Sequence, residues 1–241
     1  MAPPRRRVRF SLPSVRTAAA KLTAAFIICS IVGYLVERNT SVRLGLVPAE
    51  VVTDFTLWQL VTYIPLDYSP MGIIFGALII WQTGGGLEQW WGTKRMLTVL
   101  LTTVFLAGVL TVALSLLVKS LRMVELQGGW ALVGSIWVLY GLRLDRSQTN
   151  FWGIAVTGNT FAAIGAFFVL LVAVFGAWQA VVPEAIALGC CWVYMRVGTP
   201  RDLWLKAQSW RLEQQVRRRS KRLRMITGER NMRSDSDRYL H

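Results

Sequence analysis

Charge is scarce in this sequence. Only 17% of its 241 residues are Asp, Glu, Lys or Arg, where a soluble domain carries roughly 25%. Beside 54% hydrophobic residues and a positive mean hydropathy, that scarcity argues against an ordinary soluble enzyme and against a disordered chain. Cysteine is scarce too: Cys29, Cys190 and Cys191 sit inside apolar stretches without metal-ligand spacing. They read as small buried hydrophobes and define neither a redox compartment nor a metal site. Phe26-Ile27-Ile28 lacks the small residue that precedes a lipidated cysteine, so no lipoprotein is expected. Histidine is almost missing, the sole one being His241 at the end of a charged tail. No cofactor and no metal are expected.

What is present is tryptophan, 11 residues of it, and apolar sequence in blocks. A membrane helix needs about 20 apolar residues, and a charge at its centre costs at least ~2.5–3.5 kcal/mol on insertion scales. Charge-free windows therefore mark spans. Lys21 and Glu37 bracket the first, which resembles a signal-peptide core but has no small-residue cleavage site after it, so retention is expected. Asp67 and Glu88 bracket the second. Met96 to Val118 form the third and Glu125 and Arg143 bracket the fourth. Between Arg146 and Glu184 a polar lead-in, Gln148 to Thr160, precedes a fifth span from about Phe161 to Trp178. Ala180 to Met195, finishing in Trp192 and Tyr194, make the sixth.

Net charge is +14 and lies at the two ends. Residues 1 to 21 hold six Lys/Arg and no acid, and residues 196 to 241 hold thirteen basic and five acidic groups. Six spans put both basic ends on one side, expected to be the cytoplasmic one, together with Lys94-Arg95, Arg143 and Arg146. Lys119 and Arg122 depart mildly from that rule. In the tail, Trp204, Leu205, Trp210, Leu212, Val216 and Leu223 recur among Arg217, Arg218, Arg219, Lys221, Arg222 and Arg224. That pattern suits an amphipathic helix on an anionic lipid surface, at about 1 kcal/mol per basic group. Nucleic-acid binding is the weaker reading of the same run. The expected organisation is a basic segment over 1–20, a membrane domain over 21–196 with a long outer loop 37–67, an amphipathic helix over 197–226 and a disordered tail over 227–241.

Three motifs carry a resemblance. Leu57-Trp58-Gln59-Leu60-Val61-Thr62-Tyr63 looks like a Trp-Arg-Leu-Thr motif before a second span. Leu87-Glu88-Gln89-Trp90-Trp91-Gly92-Thr93-Lys94-Arg95 looks like a Leu-Glu…Trp-Gly…Arg-Arg loop. Trp192-Val193-Tyr194-Met195-Arg196 looks like the matching sixth-span exit. From about residue 20 to 205 the sequence resembles the rhomboid family of intramembrane serine proteases. The resemblance implies an all-α, polytopic membrane helical bundle of six transmembrane helices. Trp58, Glu88, Trp91, Gly92, Arg95, Gly134 and Gly141 fall on its structural motifs, with Glu88 and Arg95 expected as an ion pair.

The family's chemistry does not follow. A hydroxyl is a poor nucleophile until a neighbour takes its proton, and the family uses a serine within Gly-x-Ser-x and a histidine on the sixth span. Matching Gly134-Ser135-Ile136-Trp137-Val138-Leu139-Tyr140-Gly141 puts Ile136 at the serine position; a rival register at Gly128-Gly129 puts Trp130 there. Ser135 fits only after a one-residue slip, a turn of about 100°, and reads as bonded to its own helix. Counted back from Arg196, the histidine position is Glu184, a base only if burial raised its pKa. The family's oxyanion histidine and asparagine fall on Gly72 and Gly76. Losing one such donor costs about 10²–10³ in rate. No catalytic residue is assigned.

Gly72 with Gly76, and Ala185 with Gly189, are small-xxx-small pairs that let helices approach closely in lipid. They read as closing the bundle, or as forming a groove for a client's transmembrane helix. Asn159 reads as a cap of the fifth span beside Thr160. The expected function is a non-proteolytic binder or scaffold for membrane-protein clients, whose partners are the bilayer, client helices and anionic lipid. An active protease using Ser135 and Glu184 is the alternative. A channel has little support in spans so poor in ionisable groups. The compact loops suggest a bacterial inner membrane.

Overall fold

The computed structural model describes residues 17–145, 147–151, 154–176 and 178–197, and Gln208. The basic segment 1–20 falls mostly outside these residues, as do the tail helix over 197–226 and the tail over 227–241.

Helix α1, Ala18–Asn39, starts where the Thr17 side chain accepts a hydrogen bond from Ala20 N at 3.2 Å. Its buried residues, Ala19, Phe26, Ser30 and Gly33, make one stripe, while Ile28, Ile31, Val32 and Leu35 are exposed. An apolar helix with one narrow buried stripe is what lipid permits, because hydrocarbon solvates the remaining face. The long interhelical segment expected over 37–67 then folds into two short helices, α2 (Pro48–Thr53) and α3 (Gln59–Thr62). Leu46 and Leu126 exchange backbone hydrogen bonds of 2.9 and 2.8 Å, tying this segment to the chain ahead of the fourth long helix.

Helix α4, Pro70–Trp91, begins with Ser69 as cap and Pro70 in the first turn, where a missing N–H costs nothing. It packs on α1 and on α6, Gly129–Leu144. Helix α5, Thr93–Leu117, follows α4 with only Gly92 between them. That residue has φ +76° and ψ 157°, a region open essentially to glycine alone. Helix α6 is apolar and almost wholly buried, as expected for a central helix sheathed by its neighbours.

The polar lead-in over Gln148–Thr160 differs from expectation. It contains an antiparallel hairpin, β1 (Gln148–Phe151) and β2 (Ile154–Thr157), with Phe151 opposite Ile154 and Gln148 opposite Thr157. Helix α7 is Gly158–Phe175, and α8, Trp178–Val197, carries Pro183 inside it. The Thr157 hydroxyl accepts from Thr160 N at 3.4 Å and caps α7. Asn159 is not that cap: its side-chain amide donates to Asp145 Oδ1 at 2.9 Å.

Among the described residues the fold is helical apart from the hairpin and the isolated Leu46–Leu126 bridge. Among the described residues, four helices are long and apolar enough to cross a membrane: α1, α4, α5 and α7. Helix α6 is apolar but has only 16 residues, about 24 Å at 1.5 Å per residue against a core of about 30 Å.

Candidate functional site

The positions singled out on α4, α6 and α8 lie on helices that touch. Gly76 of α4 faces Phe26 of α1 and Val133 of α6, each 3.0 Å from where a Cβ would sit. Gly134 of α6 faces α8, with Glu184 Oε1 at 3.3 Å and Leu188 at 3.4 Å from its own Cβ position. Ile136 is fully buried in the core that α4, α6 and α8 share.

The space in front of Gly72 is filled from within the chain. A Cβ on Gly72 would overlap the Asp67 carboxyl group. Asp67 is 2% exposed; its Oδ1 accepts from Ser69 N at 2.9 Å and its own N–H donates to Ser30 Oγ at 3.1 Å. Ser30 in turn donates to Pro65 O at 2.9 Å, so α1 pins this turn at both ends. The loop also caps α6, whose Gly128 and Gly129 N–H groups donate to Tyr63 O and Leu66 O, each at 2.9 Å. Burial pushes the Asp67 carboxyl above the ordinary carboxylate range, opposed by the Ser69 N–H. Its position beside the first turns of two helices favours negative charge there. Sequence reasoning used Asp67 only as the bracket of a span and missed this packing. The signal was Asp67 five residues before Gly72, but only the fold brings them together.

Ser135 donates to Ala131 O at 2.6 Å within its own helix. Its neighbours include the Cys191 thiol, in turn within reach of Thr103. Cys191 is two helical turns beyond Glu184 on α8, and Glu184 faces Gly134 instead. Among the described residues, no hydrogen bond joins Ser135 to Glu184.

In the second motif the possible Glu88–Arg95 ion pair is not formed among the described residues. Glu88 does not spend its charge on Arg95. Its two oxygens accept from Ala18 N and Ala19 N, each at 3.1 Å, and Oε1 also accepts from Thr93 Oγ1 at 2.6 Å. A carboxylate on two free N–H groups of a helix start satisfies orphan donors and the dipole at once. Arg95 lies over the Trp91 ring, 5.5 Å from its centroid, and its Nε donates to Tyr194 Oη at 3.1 Å. Trp91 and Tyr194 meet edge to face at 5.8 Å, so the two motifs form one corner. Gly141 lets α7 approach, its Cβ position lying 2.7 Å from Ala162 N. Trp58 stands half exposed at the start of α3.

The two small pairs part company. Gly76 is packed tight, whereas Ala185 is exposed and nothing lies within 4 Å of a Cβ on Gly189.

Four apolar membrane-length helices around a buried α6 define an integral membrane protein with a helical bundle fold. Residues 20–198 match the family described as "Eukaryotic integral membrane protein (DUF1751)", and the chain belongs to that family. The chain is also similar to the Rhomboid protease GlpG homolog of Cronobacter sakazakii, at 28% identity over 140 residues. The match covers 53% of this chain and 46% of that protein, so the chain spans about half the length of this relative. Both findings support the rhomboid-like resemblance of the sequence. A family described as eukaryotic gives no support to the bacterial inner membrane suggested by the compact loops.

Proposed function

We propose that this rhomboid-like membrane protein binds transmembrane segments of other proteins without cleaving them. The observation that carries this reading is the filling of the region around Gly72 and Gly76 by Asp67 and Phe26. Where the family places two donors for an oxyanion, this chain offers packed backbone. Ile136 supplies no nucleophile, and Ser135 and Glu184 face different neighbours. The exposed Ala185 and open Gly189 leave a close-approach pair on α8 free for a helix in the bilayer. Helices α6 and α8 complete six spans with the four apolar ones, and both basic ends then face the cytoplasm. The tail over 197–226 lies on anionic lipid. Neither nucleic acid nor a cofactor enters this reading.

A serine-reactive fluorophosphonate probe tests it on the purified full chain, alongside incubation with a membrane-anchored peptide. No labelling and no cleavage are expected. Labelling that disappears on Ser135→Ala would overturn the proposal in favour of a protease built on Ser135 and Glu184.

A further inference from the structure

A cavity of about 450 Å³ opens beside the segment between α1 and α3, lined among others by Arg43, Glu50, Thr56, Trp58 and Gln59. Its walls carry both signs of charge. Arg43 Nη1 and Glu50 Oε1 are 2.9 Å apart, with side chains 53% and 27% exposed. An ion pair so open to solvent contributes about 0–1 kcal/mol, so a ligand bearing both charges can exchange it for two pairs of its own. Glu50 is held ready for that exchange. Gln59, 1% exposed, donates from Nε2 to Glu50 Oε2 at 2.8 Å and accepts from Val47 N at 3.0 Å.

Two further groups face the same space. Thr56 Oγ1 is buried and has no hydrogen-bond partner, a state that costs roughly 1–3 kcal/mol unless something supplies the bond. Trp58, half exposed, puts an indole at the cavity, and indole faces attract ammonium groups. Phe55, Leu57, Trp58 and Val61 are all exposed, an apolar surface suited to the headgroup layer of a bilayer.

We propose that this cavity binds a zwitterionic phospholipid headgroup, with the phosphodiester on Arg43 and Thr56 Oγ1 and the ammonium on Glu50 beside Trp58. The volume falls within the range of small-molecule sites, about 300–1,000 Å³. Headgroups that carry only negative charge fit badly. Their phosphate would meet Glu50, and Glu125 lies within electrostatic range of both Arg43 and Glu50.

The test uses the full chain in detergent, stripped of lipid and offered equal amounts of phosphatidylcholine and phosphatidylglycerol. Bound lipid is then counted by native mass spectrometry. The wild type is expected to hold phosphatidylcholine over phosphatidylglycerol by about fivefold, the range an exposed charge pair commands. Glu50→Gln removes the partner of the ammonium and should bring that ratio near one, whereas Arg43→Gln removes the partner of the phosphodiester that both lipids carry and should lower the retention of both, about fivefold. Arg43 is the more exposed of the two and its variant keeps the Glu50–Gln59 bond, so it answers the question even if Glu50→Gln unfolds. Equal retention of both lipids by the wild type, or a total retention that Arg43→Gln leaves unmoved, would overturn the proposal. Soluble glycerophosphocholine forms the third arm. If it binds while phosphatidylcholine does not, the site belongs to a soluble phosphodiester and the lipid assignment falls.

Discussion

A carboxyl group pressed against a glycine sets the terms at Gly72. The Asp67 side chain occupies the volume that any residue with a Cβ at 72 would need. Gly72→Ala should therefore destabilise the protein by about 1–3 kcal/mol, the usual cost of overpacking a tight interior. Thermal unfolding in detergent measures it, and Asp67→Ala in the same chain should recover part of the loss, because the two residues share one space. Titration gives a second handle on the same contact. Burial raises the Asp67 pKa above its ordinary 3.8, so between those two values the native protein holds a proton that the unfolded chain has released. Stability then falls as pH rises through that window and is highest below it. Asp67→Asn keeps an oxygen for Ser69 N–H and removes the ionisation. It should flatten the pH dependence and raise the melting temperature above the window; a variant whose pH profile matches the wild type would assign the dependence to another group.

At the scale of elements, single residues decide how helices start and join. Glu88 satisfies two N–H groups at the start of α1 from the far end of α4. Glu88→Ala should cost about 1–2 kcal/mol, the value of a helix cap lost with its partners left unpaired. Glu88→Gln, which keeps one acceptor, should cost less in the same unfolding assay. Gly92→Ala meets no atom within 4 Å and isolates the backbone effect, about 1–3 kcal/mol for a positive φ that an alanine resists. Most of these elements are legible in the sequence because charge is excluded from lipid: Lys21, Glu37, Asp67 and Glu88 mark the helix limits within a few residues. The partners of Glu88 are not legible, since the nearest cation in sequence is a poor guide when backbone donors 70 residues away are closer. The hairpin is hard to read for a similar reason: Gln148 to Thr157 mixes polar and apolar residues without the strict alternation that marks a strand. The pattern small-xxx-small likewise marks both Gly76 and Gly189, but cannot say which pair turns inward.

For the whole molecule, the proposed lack of rhomboid-type cleavage can rest on four side chains or on the room for them. The positions on α4, α6 and α8 sit on touching helices, which would favour the simpler case. The packing argues the other way: Asp67 fills the front of Gly72, while Phe26 and Val133 close on Gly76 at 3.0 Å. A site needs its donors within about 0.5 Å of the productive geometry, supported by locked neighbours. Installing Gly72→His, Gly76→Asn, Ile136→Ser and Glu184→His together should therefore yield a less stable protein with no hydrolysis of a membrane-anchored peptide. Adding Asp67→Ala and Phe26→Ala removes the two side chains that collide with the new ones, so the six-fold variant should recover part of that stability, as Asp67→Ala does for Gly72→Ala. The measurement is peptide cleavage beside thermal stability for both chains. Cleavage by the four-fold variant would mean that the scaffold has kept a working frame and lost only its reactive groups, and the filled space around Gly72 and Gly76 would then be a consequence of glycine rather than a barrier to catalysis.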